Sequence, residues 1–115
     1  MPKDPIELLQ GTLDFLILEA LAGGSMHGFE ISRWIRQTSD DALAIEEGAL
    51  YPALHRMERR GWLSAEWALT ENNRKGKYYA LTRAGRAALR QHEAGWERYV
   101  SVVAKILAAA KGRAA

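Results

Sequence analysis

The sequence contains no cysteine, which removes disulfide staples, thiolate nucleophiles and thiolate metal sites together and fits a reducing compartment. No segment reaches the roughly 20 consecutive apolar residues that span a bilayer. Lys3 and Asp4 lead into an apolar stretch that Glu7, Asp14 and Glu19 interrupt, and no small-residue cleavage site closes it. Neither a secretory leader nor a membrane anchor is expected, and the expected location is the cytoplasm. Net charge is also scarce: 16 Lys and Arg against 14 Asp and Glu leave +2. Bulk charge therefore argues for no partner, and only the placement of charge can. His27, His55 and His92 are far apart, with no i,i+4 pair and no acidic ligand motif, so no metal site is expected. Glu46 and Glu47 are adjacent in sequence and need not converge. With no nucleophile–base constellation and no phosphate-cradling glycine loop, neither an enzyme nor a cofactor is expected.

What is present suits one compact domain: 115 residues, 48% hydrophobic and 26% charged, without internal repeats. A chain this short often gains further burial by self-association. Asp4-Pro5-Ile6-Glu7 reads as a helix start, with Asp4 as N-cap and Glu7 completing a capping box. Ile6, Leu9, Leu13, Leu16, Ile17, Ala20 and Leu21 follow at helical spacing until Gly23-Gly24. Ser25 is placed to cap a second helix, helped by His27, in which Phe29, Ile31, Trp34 and Ile35 form the buried face. Thr38-Ser39-Asp40-Asp41 is a turn cluster. A brief strand fits Leu43-Ala44-Ile45.

A third helix is expected from Ala49 to Arg60, with Leu50, Ala53, Leu54 and Met57 inward and Gly61 beyond its end. Pro52 belongs in its first turn, where the missing N–H matters least. From Trp62 the period becomes two: Leu63, Ala65, Trp67 and Leu69 alternate with Ser64, Glu66 and Ala68. A polar turn follows from Thr70 to Gly76, and Lys77-Tyr78-Tyr79-Ala80-Leu81 alternates again, with Tyr79 inward. That is a β-hairpin with a basic tip. Trp34, Trp62 and Trp67 read as core or packing residues. Thr82 caps a long last helix from Arg83 to about Ala110, and the Ala/Lys/Gly-rich tail from Ala108 should fray. Along it Leu89, His92, Trp96, Tyr99, Val103 and Ile106 keep heptad spacing, widened by Val100 and Leu107. A stripe that long cannot be buried against one hairpin, so a second copy of the chain is its natural partner.

The fold class read from this order is mainly α, with some β. It is a winged helix-turn-helix over residues 1–82, followed by a C-terminal dimerisation helix over 83–115. In such a domain the third helix enters the major groove and the hairpin loop, the wing, meets the adjacent backbone. The expected DNA-facing residues are Ala49, Tyr51, Pro52, His55 and Arg56 on the helix and Arg74, Lys75 and Lys77 in the wing. Arg56 suits guanine or a phosphate, Tyr51 and His55 suit phosphates or base edges, and the wing cations suit phosphates. Arg59 also lies outside the apolar stripe, at the negative end of the helix dipole. The expected partners are double-stranded DNA and a second copy of the chain.

Several segments resemble the PadR family of bacterial transcriptional regulators. They are Leu8-Leu9-Gln10-Gly11-Thr12-Leu13, His27-Gly28-Phe29-Glu30-Ile31, the run from Gly48 to Glu58 that contains Leu50-Tyr51-Pro52, and the run from Lys77 to Gly85. The resemblance covers about residues 5 to 107 and fits the short branch with one C-terminal helix. It implies a homodimer on a roughly palindromic operator, usually a repressor released by a small effector. It also implies that Trp96 lines a cavity for a flat aromatic compound between subunits, with Phe15, His92 and Val100 as neighbours. Ala49 stands where the family usually has a small hydroxyl residue, and the wing lacks the family's usual Gly-Arg-Pro-Arg-Lys. Two other readings remain open. The acidic pair Glu46-Glu47 keeps a winged-helix protein–protein interaction module without DNA binding in view, and Trp96 a protein that only sequesters a small molecule.

Overall fold

The structure, a computed structural model, describes residues 11–114. The helix start at Asp4-Pro5-Ile6-Glu7 and the apolar positions Ile6 and Leu9 lie outside the described residues. Helix α1 (Thr12–Ala20) buries Ile17, Leu18 and Ala20 and runs into a short 3-10 turn, Leu21–Gly23. Gly24, at φ 145, ends it in a conformation that side-chain-bearing residues rarely adopt.

The next segment departs from expectation. Met26 and His27 form a two-residue strand, β1, and the cap of helix α2 (Gly28–Thr38) is His27, not Ser25. The His27 backbone N–H donates to Glu30 Oε1 at 3.1 Å, and the Glu30 N–H donates to His27 Nδ1 at 3.2 Å. This is a capping box in which an imidazole replaces the usual hydroxyl. Accepting at Nδ1 requires the proton on Nε2, which lies 3.3 Å from the same carboxylate. Ile31 and Ile35, four residues apart, carry the buried face of α2. Phe29 is about 200° round the helix from Ile31, so it is exposed instead of buried, and Trp34 is only partly covered.

The Thr38-to-Asp41 cluster does turn the chain. Asp40 and Asp41 are left-handed, at φ 53 and 65, and the Ser39 hydroxyl accepts the Leu43 N–H at 3.0 Å. Leu43 is held by Ser39, and the Ile45 carbonyl accepts from the Ser32 hydroxyl at 3.4 Å, so Leu43-Ala44-Ile45 is not a strand. Helix α3 spans Glu47–Arg59, starting earlier than expected because the Ala49 and Leu50 N–H groups both donate to Glu46 O, at 3.0 and 2.9 Å. Pro52 therefore sits in the second turn rather than the first. The carbonyl it would have served belongs to Gly48, which is exposed and open to water.

Strands β2 (Leu63–Leu69) and β3 (Lys75–Leu81) make the hairpin, and β1 pairs on the other edge of β3, giving the antiparallel order β1-β3-β2. Helix α4 is regular from Arg83 to Ala114, so the tail beyond Ala108 stays helical. Its start is locked. The Thr82 hydroxyl donates to Gly61 O at 2.6 Å and accepts the Gly85 N–H at 3.0 Å. A Cβ on Gly85 would fall inside the contact radius of the Trp62 carbonyl oxygen. Trp62 is the joint between α3, the hairpin and α4. Its N–H donates to Met57 O and its carbonyl accepts the Thr82 N–H, both at 3.0 Å. Its ring lies under the Arg60 guanidinium at 4.8 Å and edge-on to His92 at 5.8 Å.

One core joins every element. It includes Ile17, Leu18 and Leu21, Ile31 and Ile35, Leu50, Leu54 and Met57, then Leu63, Tyr79, Leu81, Ala88 and Leu89. Tyr79 is inward as expected. Only the first turns of α4 reach this core, and from Trp96 its apolar side chains stand largely uncovered, Ile106 at 63% and Tyr99 at 58% exposure. The architecture is mainly helical with a small antiparallel sheet: a winged helix-turn-helix with a long C-terminal helix. No helix among the described residues is long and apolar enough to cross a membrane, and no group of three or more His, Asp or Glu among them could hold a metal ion.

Candidate nucleic-acid interface

The inward stripe of α3 is fully buried, which turns Ala49, Tyr51, Pro52, His55, Arg56 and Arg59 outward to the surface. Tyr51 is set by a close approach to α2. A Cβ on Gly28 would stand 2.7 Å from Tyr51 Cε1 and 2.9 Å from its hydroxyl oxygen, so only glycine lets the ring lie there. Arg56 is directed elsewhere: its Nη2 donates to Asp14 Oδ1 on α1 at 2.6 Å. Glu46 and Glu47 are exposed at the start of α3, where negative charge complements the helix dipole.

The wing is built by a tight turn. The Thr70 N–H donates to Arg74 O at 2.8 Å and the Asn73 N–H to Thr70 O at 2.9 Å. Asn73 takes φ 57, a left-handed conformation that asparagine tolerates better than most residues. The register pairs Leu63 with Leu81, Ala65 with Tyr79, Trp67 with Lys77 and Leu69 with Lys75. Partners directly opposite share a face, so this face begins in the core and ends, toward the tip, in exposed apolar and basic residues. Lys75 lies in β3 rather than in the turn. Lys77 Nζ donates to Glu58 Oε1 on α3 at 3.0 Å, tying the wing to the helix. That hydrogen bond is the main reason the Lys77 ammonium is held above its ordinary pKa. Burial, as the main cause, pushes the Tyr79 phenol up as well. Arg74 and Lys75 are exposed and take no part in the ion pairs found among the described residues.

Between the start of α2, the outer face of α3 and the wing lies a cavity of about 660 Å³. Tyr51, His55, Arg74, Lys75 and Lys77 all line it, whereas Ala49, Pro52 and Arg56 do not. Phe29 and Trp67 line it too, although their spacing in the sequence points to packing. Trp67 is 68% exposed because the hairpin extends past the edge of the core. Strand alternation gives a side chain's face but not how far along that face the cover extends.

A second cleft of about 620 Å³ lies between α1 and α4, lined by Thr12, Phe15, Gln91, His92, Trp96 and Tyr99 among others. Phe15 stacks on His92 at 6.0 Å and tilts against Trp96 at 6.3 Å, and Trp96 stacks on Tyr99 at 6.0 Å. His92 Nδ1 is 2.8 Å from Ala88 O. A carbonyl can only accept, so Nδ1 carries the proton, and in the neutral imidazole Nε2 is then the acceptor. Val100 is one turn beyond Trp96, exposed and outside this lining. Nearby, burial first and then a hydrogen bond to Glu93 raise the Glu19 carboxyl above its ordinary pKa.

Residues 17–91 match the sequence profile of the transcriptional regulator PadR-like family. The chain is 27% identical over 97 residues to an uncharacterized protein of Lysinibacillus sphaericus, across 84% of this chain and 89% of that one. It is 38% identical over 74 residues to Transcriptional regulator Rv3488 of Mycobacterium tuberculosis, which is 64% of each chain. In three dimensions it is similar to a transcriptional regulator from Clostridium thermocellum, with a TM-score of 0.76 and 32% identity over 84% of this chain and 93% of that one.

Proposed function

This chain belongs to the PadR-like family of transcriptional regulators, and from that premise we propose that it binds a two-fold symmetric DNA operator as a homodimer. It is a regulator and not an enzyme. The observation that carries the proposal is the shared cavity. Tyr51 and His55 of α3 stand on one side of it and Arg74, Lys75 and Lys77 of the wing on another. That is the placement needed for α3 to read base edges while the wing holds the backbone. Ala49 and Pro52 would meet the same groove from the outer face of α3, and Arg56 would join once it exchanges Asp14 for DNA. The α4 stripe leaves the chain's own core after Leu89, which is buried there rather than free for a partner, and its exposed members Trp96, Tyr99 and Ile106, with the half-buried Val103 between them, support pairing with a second copy. A two-fold dimer calls for a roughly palindromic site, and occupying a promoter in this way represses it.

The α1–α4 cleft supports a small aromatic effector. Phe15, His92 and Trp96 already converge there, with Tyr99, while Val100 would join only from the rim. Planar compounds suit such rings, and Nε2 of His92 offers an acceptor to a hydroxyl.

Selection of bound sequences from a random duplex pool tests the central claim, with enrichment of a two-fold symmetric site expected. Titrating planar dyes or phenolic acids into the complex then tests the effector, with altered tryptophan fluorescence and loss of operator affinity expected. If no sequence is enriched, and alanine at Arg56 or Arg74 changes nothing, the DNA-binding reading falls.

A further inference from the structure

We propose that Trp67 on β2 and Phe29 at the start of α2 form an aromatic seat for the sugar faces of one DNA strand, the strand that passes between α3 and the wing. The inference rests on the DNA-binding reading and deepens it. In any duplex the major and minor grooves are separated by one sugar–phosphate strand. A helix in one groove and a wing at its neighbour must therefore straddle that strand, and the cavity between α3 and the wing is the straddle.

The chemistry of its walls fits such an occupant. Phe29 and Trp67 are 57% and 68% exposed, although Phe29 belongs to a helix whose other face is buried and Trp67 to a strand face that begins in the core at Leu63. Two exposed apolar rings lining one cavity suit a binding site. Around it stand Arg33, whose guanidinium lies 5.5 Å from the Phe29 ring centroid, and the wing cations Arg74, Lys75 and Lys77. Arg, Lys and the Trp indole are donors without acceptors, so the matching partner is acceptor-rich and anionic, with apolar patches between its charges. A phosphodiester chain with deoxyribose C–H faces between its phosphates meets that description. Of the two acids in the cavity wall, Glu30 is engaged in the capping box with His27, and Glu71 lies in the turn at the wing tip.

Cations and rings contribute differently, and that makes the proposal testable. Phosphate contacts by cations set how steeply affinity falls with salt, whereas ring-on-sugar packing releases no counterion. The experiment uses the full-length protein and a duplex carrying the selected site, with binding followed by fluorescence anisotropy across a salt series. Trp67→Ala should weaken binding about tenfold, about 1.4 kcal/mol, at every salt concentration with an unchanged slope. Trp67→Phe should restore most of the loss, and Lys75→Ala should flatten the slope. Since Trp67 is mostly exposed, Trp67→Ala should melt with the parent protein. Wild-type affinity for Trp67→Ala would overturn the proposal. So would a loss that appears only as a flatter slope, because Trp67 would then act through its cross-strand neighbour Lys77. Failure of the unaltered protein to bind any duplex would overturn the DNA-binding reading as well, a result distinct from either of these.

Discussion

Arg74 and Lys77 stand in the same wing, yet removing them should have unequal effects on the salt dependence of DNA binding. Each phosphate neutralised by a protein cation contributes about 0.9 to the slope of log affinity against log salt. Arg74 and Lys75 are in none of the ion pairs among the described residues, so each should neutralise a phosphate fully. A two-fold dimer loses both copies on substitution, so Arg74→Ala or Lys75→Ala should lower the slope by about 1.8. Between about 50 and 200 mM salt that difference amounts to about twelvefold in affinity. Lys77 instead arrives with Glu58 3.0 Å away, its charge already partly cancelled. Lys77→Ala should therefore lower the slope by less than about 1, and Glu58→Gln should steepen it by releasing the ammonium. The assay is fluorescence anisotropy on one operator duplex at several salt concentrations, with each variant first checked by circular dichroism. Equal flattening by Arg74→Ala and Lys77→Ala, with no change for Glu58→Gln, would refute the role given to the Lys77–Glu58 pair. Unchanged slopes for both Arg74→Ala and Lys75→Ala would refute phosphate contact by the wing.

Gly85→Ala should destabilise the fold by about 1–3 kcal/mol, the usual cost of overpacking, because the added methyl meets the Trp62 carbonyl; thermal melts at matched protein concentration measure it. Glu19→Gln tests the raised Glu19 carboxyl. A raised pKa in the folded protein gives stability that is full below the ordinary value of 4.5 and is lost as pH rises through the folded value. The variant should therefore melt above the parent near pH 7, and its advantage should vanish below about pH 4.5, in a series of melts against pH. Ile106→Glu places a charge on the uncovered stripe of α4. It should yield a monomer in sedimentation experiments, with operator affinity reduced at least tenfold as the second half-site is lost.

Much of this molecule is legible from the residues alone, because strong periodicity and buried stripes coincide. The inward positions Leu50, Leu54 and Met57 of α3, the alternation that buries Tyr79, and the Thr82 cap of α4 follow from spacing and local chemistry. What the sequence hides is extent and distance. Two residues cannot show a period, so β1 at Met26 and His27 gives no signal, and the imidazole cap lies two positions beyond the serine that local chemistry favours. Asp14 and Arg56 are 42 positions apart, and nothing local announces their pairing. Trp67 and Phe29 are apolar and regularly spaced, yet the core ends short of both. The Phe15–His92–Trp96 cleft was expected only through the family resemblance, since it needs two helices from opposite ends of the chain.

Trp62 gives the molecule a stiff elbow. Its backbone is bonded toward α3 on one side and α4 on the other, and glycine at position 85 lets the two close without a gap. In the proposed dimer α4 is then a lever and α3 its far end. A change of a few degrees in how two α4 helices cross swings each reading helix through an arc, without bending anything between. Operator half-sites are spaced by about 34 Å per helical turn, so the DNA acts as a ruler against which that arc is measured. In the same proposal, a compound wedged beside Trp96 would change the reach of the pair without touching a residue proposed to meet the duplex.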